Sequence, residues 1–70
     1  MQLSARNVLK GTVKSIVPGA VNAEVVIEVA PGFEVASVIT NASVQRLKLK
    51  VGAPAYAVIK ASDVLVGVDH

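Results

Sequence analysis

Cysteine is absent from this 70-residue chain, tryptophan is absent, and the aromatic residues are Phe33 and Tyr56 alone. Each gap removes a class of function. Without thiols there are no disulfides, no thiolate metal ligands and no cysteine nucleophile. The single histidine, His70, stands at the carboxy end of the sequence, where disorder is the default expectation, so structural zinc is not expected either. With no internal histidine and no Gly-rich loop closing on Lys-Ser or Lys-Thr, the chain lacks the equipment of a hydrolase or a nucleotide-binding enzyme. Glu24 and Glu28 share one face of a strand pattern, and a solvated strand face accounts for them. Nor is there a long apolar run. Charges at Lys10, Lys14, Glu24, Glu28, Glu34, Arg46 and Lys60 interrupt every stretch well before the ~18 residues that a membrane span requires. Residues 1–4 enter a charged segment without a basic region followed by an apolar one, so no targeting leader is expected and the cytoplasm is the default location.

What remains is apolar and weakly basic. Hydrophobic residues make up 53% of the chain, the net charge is +2 and the mean hydropathy is +0.61. One domain of this length buries a small share of its surface, and such domains generally need disulfides, a metal or partner subunits. With the first two excluded, the apolar surplus points to self-association. The cations are spread from Arg6 to Lys60 instead of clustered on one face, which does not mark a nucleic-acid binder.

The apolar periodicity is that of strands. Residues 9–17 set Leu9, Gly11 and Val13 against Lys10, Thr12 and Lys14, and Pro18-Gly19 makes a turn. Residues 20–30 place Val21, Ala23, Val25, Ile27 and Val29 on one face, and Pro31-Gly32 makes the next turn. Residues 34–40 set Val35, Ser37 and Ile39 inward. Thr40 and Asn41 are N-cap residues for a short helix over 41–47, with Val44 and Leu47 turned inward. A fourth strand follows over 55–60. Ser62-Asp63 gives a tight turn or one helical turn, and a short fifth strand is predicted over 65–68. Five strands with one short helix between the third and fourth is the order of the OB-fold, a five-stranded Greek-key barrel. The expected class is all-β in a single domain, residues 1–70. Apolar residues on both faces, as at Val25-Val26-Ile27, place part of the barrel exterior against another subunit.

Two segments carry the chemistry. Ser4-Ala5-Arg6-Asn7 and Lys60-Ala61-Ser62 each put a cation beside small hydroxyl residues and open backbone amides, a donor set for a compact oxyanion. Taken alone, Arg6 is a surface or ion-pair residue, Lys60 a strand-end lysine, Ser4 and Ser62 local caps, and Thr40 a helix cap.

Together with Leu9-Lys10-Gly11, the segment 19–25, Val38-Ile39-Thr40 with Ser43, and the run 57–62, these motifs make the chain resemble the molbindins. These are the small molybdenum-pterin-binding (Mop) proteins built from one TOBE, or transport-associated OB, domain. The resemblance spans essentially the whole chain. It implies a cytoplasmic molybdate-binding protein, with tungstate as an analogue, that stores or buffers molybdenum as the oxyanion and not as a metal cation. It also implies a homohexamer assembled as a trimer of dimers, with sites between subunits. Carried across by position, Arg6 and Lys60 supply charge, Ser4, Thr40, Ser43 and Ser62 supply hydroxyl donors, and the amides near Ala5 and Ala61 complete the cage. Val21, Asn22 and Ala23 belong to a possible second oxyanion site. Many relatives carry Gly where this chain has Lys48, which puts the end of the helix in question.

The ligand suits the donor set. Molybdate is a tetrahedral dianion that accepts hydrogen bonds and donates none. Protonated phosphate would turn a donor toward donors, at a cost of about 1–3 kcal/mol. The rival class is an OB-fold module for single-stranded nucleic acid, which stacks bases on aromatic side chains. Two aromatics equip it poorly, and the same scarcity argues against holding a flat pterin.

Overall fold

In the computed structural model, which describes residues 4–69, β1 (Asn7–Pro18), β2 (Asn22–Ala30), β3 (Phe33–Thr40) and β4 (Pro54–Ile59) form one curled antiparallel sheet. The strand order is β3-β2-β1-β4. The helix α1 (Asn41–Arg46) lies between β3 and β4, and a 3-10 turn, Ala61–Asp63, follows β4. No described helix is long and apolar enough to cross a membrane.

β1 serves both halves of the sheet. Its first half pairs with β4, from Asn7 opposite Ile59 to Thr12 opposite Pro54. Its second half pairs with β2, from Thr12 opposite Glu28 to Pro18 opposite Ala23. An irregularity between Val13 and Ser15 bends the strand where it changes partners. That extra residue resets the alternation: Val13 is buried, and the next core residue is Ile16, not Ser15. Gly11 sits at the same crossing. A Cβ built there would lie 2.4 Å from the Glu28 carbonyl oxygen and 2.8 Å from Ile27 Cγ2, so a side chain cannot enter without moving backbone.

The core is Val13, Val25, Ile27 and Ala57, with Leu9, Ile16, Val35, Ile39, Val44 and Leu49 packed around it. The sequence pattern marks Leu9, Val13, Val25, Ile27, Val35, Ile39 and Val44 as inward but not Ile16, Leu49 and Ala57, and Val21, expected inward, is exposed. Leu47 is an exception. It is the residue after the helix and is exposed, and Leu49 takes the core position instead.

The helix closes as a Schellman motif without glycine. The Lys48 amide donates to the Gln45 carbonyl at 3.1 Å and the Leu49 amide to the Val44 carbonyl at 3.0 Å. Lys48 stands at φ 54°, in the left-handed region that costs an L-residue roughly 1–2 kcal/mol. The cap is kept because Leu49 gains a core position at the end of it. Lys48→Gly is therefore expected to stabilise the domain by about 1 kcal/mol after the extra freedom of glycine in the unfolded chain is discounted. Thermal unfolding should register a rise of about 4–8 °C.

On the outer face, Glu28 and Glu34 stand directly opposite each other on β2 and β3, an unfavourable like-charge pair. Lys14 on β1 offsets it, hydrogen-bonding Glu34 and lying 3.9 Å from Glu28. The hydrogen bond to Glu34 and then its charge hold the Lys14 ammonium above its ordinary pKa of 10.5. The contribution is complete below that value and is lost only as pH rises through the higher folded value, so it is constant near neutrality. Lys14 is thus a paired residue, not the free solvated charge its sequence context suggests.

The fifth strand does not form within the chain. Beyond the 3-10 turn, residues 64–69 are exposed and carry no ladder partner. Alternation gives Val64-Leu65-Val66-Gly67-Val68 the chemistry of a strand, but a strand also needs an edge to pair with. The 3-10 turn over Ala61–Asp63 follows β4, and residues 64–69 join no strand ladder among the described residues.

Candidate functional site

The sequence-derived donors fall into two groups at opposite ends of β1. The first is built by the β1–β4 pair. Asn7 opposes Ile59, and Arg6 and Lys60 stand one position beyond that last pair, at the same end of the sheet. Ser4 and Arg6 are exposed and Ala5 is half-buried. Lys60, Ala61 and Ser62 are all exposed. Among the described residues, none of Ser4, Arg6, Lys60 and Ser62 has a side-chain hydrogen bond or ion pair. Lys60 precedes the 3-10 turn without a side-chain cap, and the first turn bond comes from the Asp63 amide to the Lys60 carbonyl at 2.9 Å. The Ala61 and Ser62 amides therefore precede the first donor that the turn itself uses. Two cations, two hydroxyls and the Ala61 and Ser62 amides thus lie at this end of the sheet, their side chains without a bond among the described residues.

The second group is built by the end of β3, the start of β2 and the first turn of α1. Thr40 opposes Asn22 and Ile39 opposes Ala23. Thr40 caps the helix: its Oγ1 accepts from the Ser43 amide at 3.0 Å, and the two hydroxyls are hydrogen-bonded at 2.8 Å. One of the two O–H groups is engaged in that bond, and one stays free to donate outward. Val21 and Asn22 are exposed beside them, whereas the Ala23 side chain is buried in the core and offers nothing to a ligand.

Asn41, read from the sequence as an N-cap residue beside Thr40, belongs to this group in a different role. Its side-chain amide donates to the Gly19 carbonyl at 2.9 Å and its backbone amide to the Val21 carbonyl at 2.8 Å. It thereby ties the helix start to the β1–β2 turn and sets where Asn22 and Ser43 stand. The one available signal was an Asn directly after a capping Thr. Because Thr40 carries the cap, Thr40→Ala is expected to lower stability by about 1 kcal/mol. Denaturant unfolding should show that loss, with Ser43→Ala costing less.

β1 spans 12 residues, at most on the order of 35 Å from end to end, in a molecule whose longest dimension is 39 Å. Arg6 and Lys60 mark one end. Pro18, which opposes Ala23, marks the other. The two groups of expected donors thus stand at opposite ends of β1.

Among the described residues no cluster of His, Cys, Asp or Glu is arranged to hold a metal cation. Phe33 and Tyr56 are both exposed but lie on the two outer strands β3 and β4, at opposite borders of the sheet, and do not form a stacking platform.

The TOBE domain profile matches residues 3–66. A probable molybdenum-pterin-binding protein of Haemophilus influenzae is 51% identical over 69 residues, covering 99% of this chain and 100% of its own. Among solved structures, MopII from Clostridium pasteurianum superposes with a TM-score of 0.88 at 45% identity, covering 96% of this chain and all of its own. The cytoplasmic molybdate-binding protein ModG, solved with molybdate bound, superposes with a TM-score of 0.94 at 55% identity. That match covers 99% of this chain and 49% of the ModG chain. These relatives are named for binding molybdenum or molybdate, and none of them for catalysis or for nucleic acid.

Proposed function

The chain belongs to the TOBE domain family, and from that premise we propose that it is a molybdate-binding protein whose sites form between copies of the chain. It is a binding protein and not an enzyme. The observation that carries the reading is the Arg6–Lys60 end of the sheet, where two cations and two hydroxyls stand together without partners among the described residues.

In this reading Arg6 and Lys60 neutralise the dianion. Ser4, Ser62 and the amides at Ala5 and Ala61 donate to its oxygens. Thr40 and Ser43 are contributed by a neighbouring copy, as their distance along β1 requires. Val21 and Asn22 flank those hydroxyls and offer a second, weaker site. The ligand is the oxyanion itself, since the two aromatic residues do not frame a flat pterin. Tungstate, of the same shape and charge, enters the same cage. Residues 1–70 act as one domain, the five-stranded closed barrel belongs to the assembled form, and the assembly is a homohexamer built as a trimer of dimers. The protein stores or buffers molybdate in the cytoplasm.

Calorimetric titration with molybdate, tungstate, sulfate and phosphate at neutral pH tests the reading. Molybdate and tungstate are expected to bind with similar affinity, sulfate much more weakly and phosphate not at all. Equal affinity for sulfate would show a nonspecific cationic patch and end the proposal.

A further inference from the structure

The polar atoms of Asn41 are spent unevenly. Its Nδ2 donates to the Gly19 carbonyl at 2.9 Å, which fixes the orientation of the side-chain amide, and its Oδ1 is buried without a hydrogen-bond partner among the described residues. Its backbone amide donates to the Val21 carbonyl at 2.8 Å. One residue at the helix start thus occupies two carbonyls of the turn that joins β1 to β2. Gly19 and Asn22 flank the loop residues Ala20 and Val21, and the Gly19 amide donates to the Asn22 carbonyl at 2.7 Å. In an ordinary two-residue hairpin loop the reciprocal bond, from the Asn22 amide to the Gly19 carbonyl, closes the turn. That bond is absent among the described residues, and Asn41 holds the Gly19 carbonyl instead. A planar trans peptide sets its N–H opposite its C=O. With the Gly19 and Val21 carbonyls both aimed at Asn41, the Ala20 and Asn22 amides are aimed away from it, in a turn exposed from Gly19 to Asn22. Neither amide has an acceptor among the described residues. Open N–H groups of one turn, set close together, are a seat for an anion.

We infer that Asn41 is a positioning residue for the second oxyanion site. By holding the Gly19 and Val21 carbonyls it keeps the Ala20 and Asn22 amides free to donate to a tetrahedral oxyanion. Asn41 acts through the turn and not on the ligand. The inference deepens the proposed function and rests on the reading of the turn before β2 as part of an oxyanion site. The turn supplies backbone donors and no cation, so its ligand is held more weakly than at the Arg6–Lys60 end, where the hydrogen bonds are charge-assisted.

The test uses the full chain and Asn41→Leu, which is close in shape, keeps the backbone amide and removes the Nδ2 donor together with the unpartnered Oδ1. The thermal midpoint is expected to stay level or rise, because a buried acceptor without a partner leaves with the donor and the exposed Gly19 carbonyl can turn to water. That carbonyl also becomes available to the Asn22 amide. Without ligand, hydrogen exchange at the Asn22 amide is therefore expected to slow about 10-fold in the variant. In the native chain, molybdate added to an isotope-labelled sample should move the Ala20 and Asn22 amide resonances. In Asn41→Leu those shifts should need about 3- to 10-fold more molybdate, the worth of one hydrogen bond, while the shifts at Ala61 and Ser62 are unchanged. Asn41→Ala, which removes the same donor with a smaller side chain, should reproduce both changes. Equal exchange at Asn22 in native and variant chains would overturn the inference alone, as would turn shifts that survive both substitutions at the same molybdate concentration. Native turn amides that ignore molybdate while Ala61 and Ser62 respond would overturn the second-site reading and the inference with it.

Discussion

Gly11→Ala is expected to cost more than about 3 kcal/mol, a large share of the stability of so small a domain. The added Cβ would lie 2.4 Å from the Glu28 carbonyl oxygen, a backbone atom of the adjoining ladder that cannot rotate away. Overpacking of this kind costs about 1–3 kcal/mol where side chains can adjust. Here the clash is with backbone at the crossing where β1 passes from β4 to β2, so the ladder on both sides is strained. A domain of this length has a total stability of about 4–10 kcal/mol. Denaturant unfolding followed by circular dichroism checks the expectation, with Lys10→Ala as the control. Lys10 is exposed on the same strand, and its substitution should change stability by less than about 0.5 kcal/mol. A Gly11→Ala protein as stable as the control would mean that β1 does not cross β2 as closely as described.

Arg6→Ala should have an equally large effect, on binding and not on folding. Arg6 is exposed and has no side-chain hydrogen bond or ion pair among the described residues, none of which depends on it. Its loss removes a charge-assisted hydrogen bond worth about 1.5–3 kcal/mol, which lowers molybdate affinity about 10- to 100-fold. The unfolding curve should be unchanged. Lys60→Met extends the test: its aliphatic stem keeps the packing while the charge is removed. Affinity should fall by a similar factor at constant oligomer size. Dissociation of the assembly would assign Lys60 to the interface, and unchanged affinity in Arg6→Ala would remove Arg6 from the site.

The strands were legible in the sequence wherever local alternation and burial agree. β3 keeps period two, as does β2 up to the irregularity between Glu28 and Ala30, and their inward residues are those that the alternation marks. The turns at Pro18-Gly19 and Pro31-Gly32 and the Thr40 cap follow from local backbone chemistry in the same way. The irregularity near Ser15 was not legible, since an inserted residue leaves no mark when Ser15-Ile16-Val17 still reads as strand. Lys48 is flagged in the sequence as standing where many relatives carry Gly, but how the helix ends was not legible: a left-handed lysine is held there by the packing of Leu49, a tertiary cause. The fifth strand failed for the same kind of reason, because the pattern supplies its chemistry and only a neighbouring edge supplies its partner.

The site shows the same division. Its residue types stand in two short motifs and were read directly. Their separation depends on register, on Asn7 meeting Ile59 at one end and Asn22 meeting Thr40 at the other. Such long-range pairings have no local signature. They set the expected donors in two groups, which supports the proposal that each site joins motifs from different subunits, as the resemblance implies. Ligand that binds only the assembled form must also stabilise it by mass action.

The most direct test is native mass spectrometry of the purified chain, alone, with molybdate and with sulfate. The account predicts a hexamer that takes up several molybdates and ignores sulfate, with no molybdate retained by any free monomer. A monomer that binds molybdate by itself, or an assembly indifferent to it, would contradict the claim that the sites are built between copies.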